Sequence, residues 1–325
     1  MTQRLNRMLE PLQEDLEQVT DRLMKALQHP VARMAVYLIA AGGKRLRPAL
    51  VLLAGRSGAY RRHRNALIDL AAAVELVHTA TLIHDDIIDD SDTRRTQPTF
   101  HTRFGTERAV LMGDYLYAAA FSILARLQQP YLTAYLAESC QELSRGEMLE
   151  VEHRYNVNLT EAEYLNIVRD KTASLIAACC HLGASLVKAS PQTVRQVTTF
   201  GWNLGMAFQI VDDCLDLTGE ERTVGKPLRA DLEKGALSLP IIYVAQSLPA
   251  AQRATLFAPL RRRAMSGAFF TRVARAVRQT GAIDQAMRTA QAFIRQAEDA
   301  VATRNGLVWP ETYRQLARYA VARTQ

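Results

Sequence analysis

The stretch that decides the fold is LAAAVELVHTATLIHDDIIDD, residues Leu70 to Asp90. Its first part, Leu70 to Ile83, is apolar almost all round, and this pattern predicts a helix that is buried on every side. The helix then leads into HDDIIDDSDTRR, His84 to Arg95, where five aspartates and two arginines fall within twelve residues. Repulsion between like charges this close together destabilises a helix. The sequence therefore raises the question of what holds these carboxylates together.

Most of the remaining chain has the i, i+3, i+4 apolar spacing of helices, interrupted by glycine or proline. Thr160 followed by Glu163 predicts a capping box at the start of one helix. Ser190 before Pro191 predicts an N-cap and a first-turn proline at the start of another. Alternating strand patterns, repeats of fixed period and linkers are absent from the sequence. We therefore expect an all-α fold that forms a single domain over residues 1–325.

Composition narrows the class of protein. The 325 residues are 48% hydrophobic, which is enough to bury a large core. The N-terminal segment is charged throughout, and no run of about 18 uncharged apolar residues occurs, so we expect neither a signal peptide nor a membrane span. The cysteines lie in apolar helical patterns without a CxxC pair, which indicates buried thiols and a cytoplasmic location. They are Cys140, Cys179, Cys180 and Cys214.

The formal net charge of +7 is unevenly distributed. Residues 251–325 contain thirteen arginines and four acidic residues but no lysine. Solvated helix faces explain this arginine-rich part most simply, and anionic lipid or nucleic acid is the alternative partner. Because no nucleic-acid motif and no pattern of basic and aromatic residues occurs, we expect no nucleic acid partner. Peripheral membrane contact stays open.

Two carboxylates of the first aspartate cluster share one helix face. Asp85 and Asp89 are four residues apart, with Asp86 beside them. Aligned carboxylates suit Mg²⁺, which keeps several waters and bridges readily to phosphate. The C-terminal end of a helix also favours a cation, and Arg94 and Arg95 follow as partners for phosphate charge. Taken alone, the motif fits a solvated turn as well as a metal site.

The pattern recurs in GMAFQIVDDCLDLTG, residues 205–219. Asp212, Asp213 and Asp216 again follow an apolar helical run, and Gln209 lies one turn earlier. Two such segments, each at the end of a buried helix, are hard to explain as solvated surface turns. Together they predict two clusters that face each other and hold a diphosphate through several Mg²⁺ ions, which draw charge onto the leaving group.

A basic loop predicts an anion site. In GGKRLRP, residues 42–48, the glycines let the backbone approach a ligand, Lys44 and Arg47 supply charge, and the proline can open a helix with free N–H groups. His78 lies seven residues before Asp85, on roughly the same helix face. Alternatively, GGKRLRP is only a basic loop before a helix, and His78 is only a core histidine whose hydrogen bonds are made within the protein.

Six motifs resemble, in sequence and order, those of the trans-isoprenyl diphosphate synthases, and the resemblance covers roughly residues 35–245. They are GGKRLRP, HDDIIDDSDTRR, the GE of SRGEMLE (Gly146 and Glu147), DKTASL (Asp170 to Leu175), FQIVDDCLD and GKP…DL…LP. The resemblance implies an isoprenoid-synthase-type helical bundle around a central cavity, which works as a homodimer. It also implies condensation of isopentenyl diphosphate with an allylic diphosphate such as farnesyl or geranylgeranyl diphosphate.

The resemblance implies a role for each matching residue. Isopentenyl diphosphate would be bound by Lys44, Arg47, His78 and Arg95. The allylic diphosphate would be bound by Arg94, Lys171, Thr172, Gln209 and Lys226. Thr172 and Gln209 would face the developing carbocation and, with Lys171, act as catalytic residues. Three Mg²⁺ ions would be held by Asp85, Asp89 and Asp212, with Asp216 acting through bound water. No side-chain nucleophile is needed.

Some residues depart from the family pattern near the allylic diphosphate. Thr96 and Gln97 stand where many relatives have Gly-Lys, and Arg229 replaces a usual glycine. Ala236 stands where many members have a lysine, and Lys234 lies two residues too early to replace it. These departures affect binding of the allylic diphosphate and leave the metal motifs complete.

Product length is predicted from the residues that precede the first aspartate motif. In this family an aromatic residue four or five positions before the first aspartate tends to stop the chain early. Ala80 and Thr81 occupy these positions and are small, so we expect a long-chain all-trans product. The alternative is that they only allow close helix packing.

Other functions stay open at this point. A class I terpene cyclase also has a DDxxD motif, but its second metal motif mixes Asn, Ser and Glu. A non-catalytic partner subunit tends to lose the aspartates that this chain keeps. The catalytic subunit of a two-component synthase and a short-chain (farnesyl or geranylgeranyl) synthase are the nearer alternatives. A helical scaffold or nucleic-acid binder would rest on composition alone.

Overall fold

The computed structural model describes residues 2–40, 43–94, 97–218, 230–302 and 307–322. These residues are almost entirely helical, which confirms the predicted all-α class. The helices are α1 (Thr2–Leu9), α2 (Gln13–Ala26), α3 (Val36–Ala40), α4 (Leu46–Gly55), α5 (Tyr60–Ile88), α6 (Phe100–Phe104), α7 (Thr106–Arg126), α8 (Pro130–Glu152), α9 (Glu161–Val168), α10 (Ser174–Leu186), α11 (Pro191–Thr218), α12 (Ala230–Glu233), α13 (Leu239–Ser247), α14 (Ala250–Arg261), α15 (Gly267–Thr280), α16 (Ala282–Ala300) and α17 (Pro310–Val321). Short 3₁₀-helices lie at Glu10–Leu12 and Ala32–Ala35, and a π-helix, Arg169–Ala173, joins α9 to α10.

A small hairpin was not predicted from the sequence. Strand β1 (Thr93–Arg94) pairs antiparallel with β2 (Gln97–Pro98). Strands of two residues are too short to show an alternating pattern, so the sequence carries no periodic signal for them. The hairpin follows the first aspartate motif directly and positions Arg94.

Helix α5 is buried on all sides over most of its length, as its apolar pattern predicts. The side chains from Leu70 to Val74 are fully buried. Helices α2, α4 and α7 pack against α5. Because neighbours surround this middle part, α5 has no exposed polar face between Leu70 and Ile83, and the aspartates begin only in its last turn.

The chain divides into two compact units, each made of three segments. Unit 1 comprises Met1–Cys140, Leu175–Gly201 and Glu298–Leu316, and unit 2 comprises Gln141–Ser174, Trp202–Ala297 and Ala317–Gln325. The core of unit 1 surrounds α5, and in unit 2 helix α13 packs against α9 and α15. The single domain over residues 1–325 and the central cavity stay predictions.

Two predicted helix starts are confirmed. Thr160 and Glu163 form a capping box at α9, in which the Thr160 hydroxyl accepts from the Glu163 N–H at 3.2 Å and the Glu163 carboxylate accepts from the Thr160 N–H at 2.8 Å. The hydrogen bond from the Thr160 backbone lowers the pKa of Glu163. At α11 the Ser190 hydroxyl accepts from the Thr193 N–H at 3.1 Å. Helix α9 leads into the π-helix, so its cap fixes the start of the segment that carries Lys171 and Thr172.

Helices α5 and α7 are long and apolar enough to cross a bilayer by length and composition alone. The most apolar window of α5 is 78% buried inside the protein, as in a core helix, whereas that of α7 is 39% buried. Buried core helices have the same length and composition, so these two features do not by themselves indicate a membrane span. The difference shows instead that α7 leaves part of its apolar surface uncovered.

The four cysteines are free thiols. Cys179, Cys180 and Cys214 are buried as predicted, whereas Cys140 is half-buried. Burial raises the pKa of Cys140, Cys179 and Cys214 to about 12, so these thiols stay protonated and unreactive at neutral pH. The cytoplasmic location stays a prediction.

Candidate functional site

The first aspartate motif lies in unit 1, where α5 ends. The Asp89 N–H donates to the Asp85 carbonyl at 2.8 Å, so these two residues are one turn apart on the same face. Asp90 has a φ of 48°, and this left-handed conformation terminates the helix. Both Asp85 and Asp89 are half-buried. As predicted, two partly exposed carboxylates therefore stand at the negative end of a helix dipole.

Asp86 has a different environment from its neighbours. Its side chain is 3% exposed, and its Oδ1 accepts from Nε of Arg94 at 2.7 Å. The hairpin brings Arg94 to this position, and Arg94 itself is half-buried. Asp86 therefore anchors the arginine that we predicted to bind the allylic diphosphate, a role that the sequence did not reveal.

The second aspartate motif, in unit 2, repeats this arrangement at the end of α11. Asp212 and Asp216 are half-buried and four residues apart, and Asp213 between them is 5% exposed. Tyr164 Oη donates to Asp213 Oδ2 at 2.6 Å, and Gln209 Nε2 donates to Oδ1 at 2.8 Å. Burial raises the pKa of the Asp213 carboxyl, and these two hydrogen bonds oppose that effect. In both motifs, the second aspartate is buried and bonded while the outer pair stays partly exposed.

Gln209 and Thr172 are connected, as their predicted common role requires. The Thr172 hydroxyl donates to Gln209 Oε1 at 2.9 Å. Because Gln209 Nε2 donates to Asp213, the orientation of the amide is fixed and its oxygen faces Thr172. The chain of bonds runs from Tyr164 through Asp213 and Gln209 to Thr172. Tyr164 was not identified from the sequence, where its place in an ordinary apolar pattern gave no signal.

Lys171 and Thr172 lie within the π-helix that joins α9 to α10. Such turns are frequent at functional sites because they change the direction in which side chains point. Two glycines permit close packing around it: a Cβ on Gly146 would lie 2.3 Å from the Lys171 nitrogen, and one on Gly205 would lie 2.5 Å from the Ala173 Cα. Helices α8 and α11 therefore both pack directly against the π-helix backbone.

The Lys171 ammonium is held between two carboxylates of α8. It lies 2.7 Å from an oxygen of Glu147 and also donates to Glu150. Glu147 belongs to a motif identified in the sequence, but Glu150 was not singled out. The signal was available, because residues three apart in GEMLE share a helix face. Two carboxylates thus match the charge of Lys171, and its role in binding the allylic diphosphate stays a prediction.

Asp170 anchors the same turn from the other side. It is 2% exposed and accepts from Nε of Arg145 at 2.7 Å and from Nε of Arg169 at 3.0 Å. Burial alone would raise the pKa of Asp170, but these two hydrogen bonds and charges lower it. Asp170 therefore stays ionised, and its bonds to the two arginines fix the backbone at the start of the DKTASL motif.

The basic loop and His78 come together in unit 1. Arg47 Nη1 lies 3.0 Å from His78 Nε2. Because arginine has only donors, His78 Nε2 is the acceptor in this contact. Lys44 is exposed just before α4. Helix α4 begins at Leu46, two residues earlier than the proline predicted to open it.

Arg45 holds this loop in place. Its φ is 45°, an uncommon conformation for a residue other than glycine. Nη1 of Arg45 donates to Glu75 at 2.6 Å, and Nη2 donates to the Ile39 carbonyl at 2.8 Å. Glu75 is 6% exposed. An acid within the apolar run of α5 was the sequence signal for such a partner.

Several predicted site residues remain to be placed. Arg95 and Lys226 lie outside the described residues, as do the family departures Thr96 and Arg229. Ala80 is fully buried, and Thr81 is 5% exposed and donates from its hydroxyl to the His78 carbonyl at 2.8 Å. Their role in product length stays a prediction, since burial fits both a tunnel wall and close packing.

The aspartate pairs fit Mg²⁺. Among the described residues, no group of three or more His, Cys, Asp or Glu side chains is arranged to hold a metal. Mg²⁺ does not need one, because it is usually bound through one or two carboxylates together with waters and substrate phosphates. The outer pair of each motif supplies two such oxygen donors. These residues therefore suit a metal that arrives with its diphosphate.

Known proteins resemble this chain in sequence and structure. A family model described as polyprenyl synthetase matches residues 28–275. Heptaprenyl diphosphate synthase component 2 of Geobacillus stearothermophilus is 41% identical over 243 residues, which are 74% of this chain and 75% of that protein.

Two solved structures agree over almost the whole length. A decaprenyl diphosphate synthase from Rhodobacter capsulatus has a TM-score of 0.90 and 30% identity and covers 99% of each chain. A polyprenyl synthase from Caulobacter crescentus CB15, complexed with calcium and isoprenyl diphosphate, has a TM-score of 0.90 and 34% identity. That match covers 100% of this chain and 98% of the other.

We expect Tyr164→Phe to impair both stability and turnover. The buried Asp213 carboxyl would lose one donor, which costs about 2 kcal/mol of the free energy of unfolding. Gln209 and Thr172 would lose their fixed orientation, and misplaced groups of this kind lower kcat roughly tenfold. Urea denaturation and steady-state kinetics measure the two effects.

Tyr243→Phe is the matched control. Tyr243 is also buried in unit 2 and donates to Glu161 at 2.8 Å. Its loss should reduce stability by a similar amount and leave kcat unchanged. Equal effects of the two variants on kcat would contradict the positioning role of Tyr164.

Proposed function

The chain belongs to the polyprenyl synthetase family, and on this basis we propose that it is an Mg²⁺-dependent prenyltransferase that makes a long-chain all-trans polyprenyl diphosphate. Its substrates would be isopentenyl diphosphate and an allylic diphosphate such as farnesyl or geranylgeranyl diphosphate. Three Mg²⁺ ions per site are part of the proposal. The relatives named for heptaprenyl, octaprenyl and decaprenyl products support the long-chain assignment.

One observation carries the proposal: the two aspartate motifs have the same internal arrangement. In each motif the second aspartate, Asp86 or Asp213, is buried and hydrogen-bonded, while the outer pair is half-buried at the C-terminal end of a long helix. A solvated acidic turn would not need buried anchors. A metal site does, because the outer carboxylates must hold their position against repulsion.

The chain's own residues account for the remaining chemistry. Arg47, His78 and Lys44 provide donors for the diphosphate of isopentenyl diphosphate, and Lys171 and Arg94 provide them for the allylic diphosphate. The oriented oxygens of Thr172 and Gln209 stabilise positive charge on the allylic carbon. Bound Mg²⁺ would supply Lewis-acid stabilisation of the leaving diphosphate. The bond between the allylic carbon and its diphosphate oxygen breaks, the double bond of isopentenyl diphosphate forms the new carbon–carbon bond, and the adduct gives up a proton to the released diphosphate.

We further propose that α7 and α8 form a homodimer interface. Several large apolar side chains are exposed on these two helices, and exposed apolar side chains grouped on one surface indicate an interaction site. They are Val110 and Leu111 on α7 and Tyr131 and Met148 on α8. An apolar groove of about 680 Å³ lies at the junction of the two helices, lined by residues that include Phe121, Leu124 and Ala134. A second copy of the chain is the occupant that the family resemblance implies. The relative named component 2 makes a separate partner subunit the alternative.

We expect Asp85→Asn and Asp212→Asn each to lower turnover roughly a hundredfold or more, because each removes a metal ligand worth several kcal/mol in the transition state. Each substitution also relieves repulsion, so thermal stability without Mg²⁺ should hold or rise. Wild-type protein should gain thermal stability when Mg²⁺ and inorganic diphosphate are added together, and the variants should gain little.

Asp90→Asn provides the control for this experiment. Asp90 is exposed in the same acidic run, and asparagine tolerates its left-handed conformation. It should keep wild-type turnover. Near wild-type activity of Asp85→Asn, or an equal loss in Asp90→Asn, would refute the metal assignment.

Product length should respond to Ala80→Tyr. A ring at this buried position would cross the proposed path of the growing chain and shorten the product sharply, with diphosphate ionisation intact. Overpacking costs about 1–3 kcal/mol, so Thr81→Phe is the substitute if this variant does not fold. Ala80→Ser, similar in volume, should leave the product unchanged. Chromatography of the dephosphorylated products decides the question, and unchanged products in both bulky variants would show that the path lies elsewhere.

The dimer proposal predicts that Leu111→Arg yields a monomer. An arginine within the proposed apolar contact would have to be buried unpaired, which costs roughly 3–5 kcal/mol. Sedimentation velocity measures the mass, and Val31→Arg is the control because Val31 is 55% exposed but lies outside α7 and α8. A monomeric wild type, or a dimeric Leu111→Arg, would contradict the proposal.

A further inference from the structure

Unit 2 carries a concentrated basic surface on α14 and α15. We define it by six exposed arginines, three at the end of α14 and in the loop after it and three on α15. They are Arg261, Arg262, Arg263, Arg272, Arg275 and Arg278. The loop between the two helices is short, so the two groups of arginines belong to one helix pair. We call this surface the basic face.

The arginines of α15 follow from its amphipathic pattern. Phe269, Phe270, Val273 and Val277 are buried and fix which side of the helix packs inward. Arg272, Arg275 and Arg278 are spaced by three residues on the opposite side and are all exposed. At 1.5 Å per residue they span about 9 Å along the helix axis. The folded protein therefore orders three guanidinium groups in one outward stripe.

Acidic side chains do little to neutralise the basic face. Asp284 is the only acidic residue between positions 251 and 297. None of the six arginines forms an ion pair with a described residue, in contrast to the paired Arg45, Arg94 and Arg145 of the site. Arg263 instead lies over the Tyr155 ring at 4.7 Å. Because arginine stays protonated at any physiological pH, the basic face keeps its charge.

We propose that the basic face docks the enzyme on an anionic membrane surface. Clustered arginines on a helical surface are attracted to acidic phospholipid headgroups by charge alone. Phe257, Phe269 and Phe270 are buried, so within α14 and α15 the face presents no exposed aromatic ring on which nucleic acid bases could stack. The proposed long-chain product, on which this part of the argument rests, is insoluble in water and must pass into a membrane.

Vesicle sedimentation without any substrate tests the proposal independently of catalysis. Wild-type protein is mixed at low salt with vesicles of phosphatidylcholine alone or of equal parts phosphatidylcholine and phosphatidylglycerol. We expect binding to the anionic vesicles only, and release at high salt because the attraction is screened. Each arginine contributes about fivefold to such partitioning, so Arg272→Gln, Arg275→Gln and Arg278→Gln together should weaken it about a hundredfold.

A second triple variant controls for net charge. Arg7, Arg61 and Arg62 are exposed in unit 1, and changing all three to glutamine lowers the net charge equally. This variant should bind anionic vesicles like the wild type. Both variants should keep prenyl transfer in solution, since none of these residues lies in the proposed site.

Several outcomes would overturn the inference. These are no binding of the wild type at low salt, equal binding to neutral vesicles, or equal loss in the two triple variants. Duplex DNA could also release the protein from the vesicles at a lower concentration of negative charge than the lipid provides. That result would overturn the inference and indicate nucleic acid as the partner. A catalytically inactive protein that still binds vesicles would leave this inference standing and count against the proposed function alone.

Discussion

The arrangement of this protein depends on one constraint: carboxylates that repel one another must stay together in the last turn of a helix. Two negative charges about 4 Å apart repel by roughly 1 kcal/mol in water and by more in a partly buried setting. Each motif meets this constraint in the same way. Its second aspartate is turned inward and bonded, by Arg94 in one case and by Tyr164 and Gln209 in the other. The helix itself then holds the outer pair. A bound cation would relieve the repulsion that remains between these two carboxylates, and this favours cation binding.

The long buried helices follow from the same constraint. A helix end frays unless neighbours hold it, and a frayed end would let the outer aspartates move apart. Helix α5 is enclosed by apolar contacts up to Ile83, two residues before Asp85. Helix α11 is fixed by packing so close that Gly205 has no room for a Cβ beside Ala173. Rigid helices thus hold their charged last turns in place before any ligand binds. Electrostatic catalysis requires this preorganisation of charged groups.

The sequence predicted the regular parts of this structure and missed those that depend on single contacts. The all-α class, the capping box at Thr160 and the pairing of outer aspartates followed from periodicity and spacing. The π-helix and the hairpin did not, because each is a departure of a few residues from a regular pattern. Tyr164 gave no distinct signal, since a buried tyrosine is ordinary on a helix. Glu150 was missed although it lies three residues after Glu147 on the same helix face. Glu75 did give a signal, because a carboxylate inside an apolar run requires a partner such as Arg45.

The partners of Lys171 bear on how a diphosphate is received. Glu147 and Glu150 already match its charge, so Lys171 offers little net attraction to a free phosphate. Asp212 and Asp216 on α11 belong to the same unit and add negative charge. A bare diphosphate therefore meets repulsion there, whereas a diphosphate that carries divalent cations brings the positive charge that these carboxylates lack. On this argument the carboxylates around Lys171 would make diphosphate binding depend on divalent cations, and Lys171 would exchange a carboxylate partner for a phosphate oxygen when the diphosphate binds.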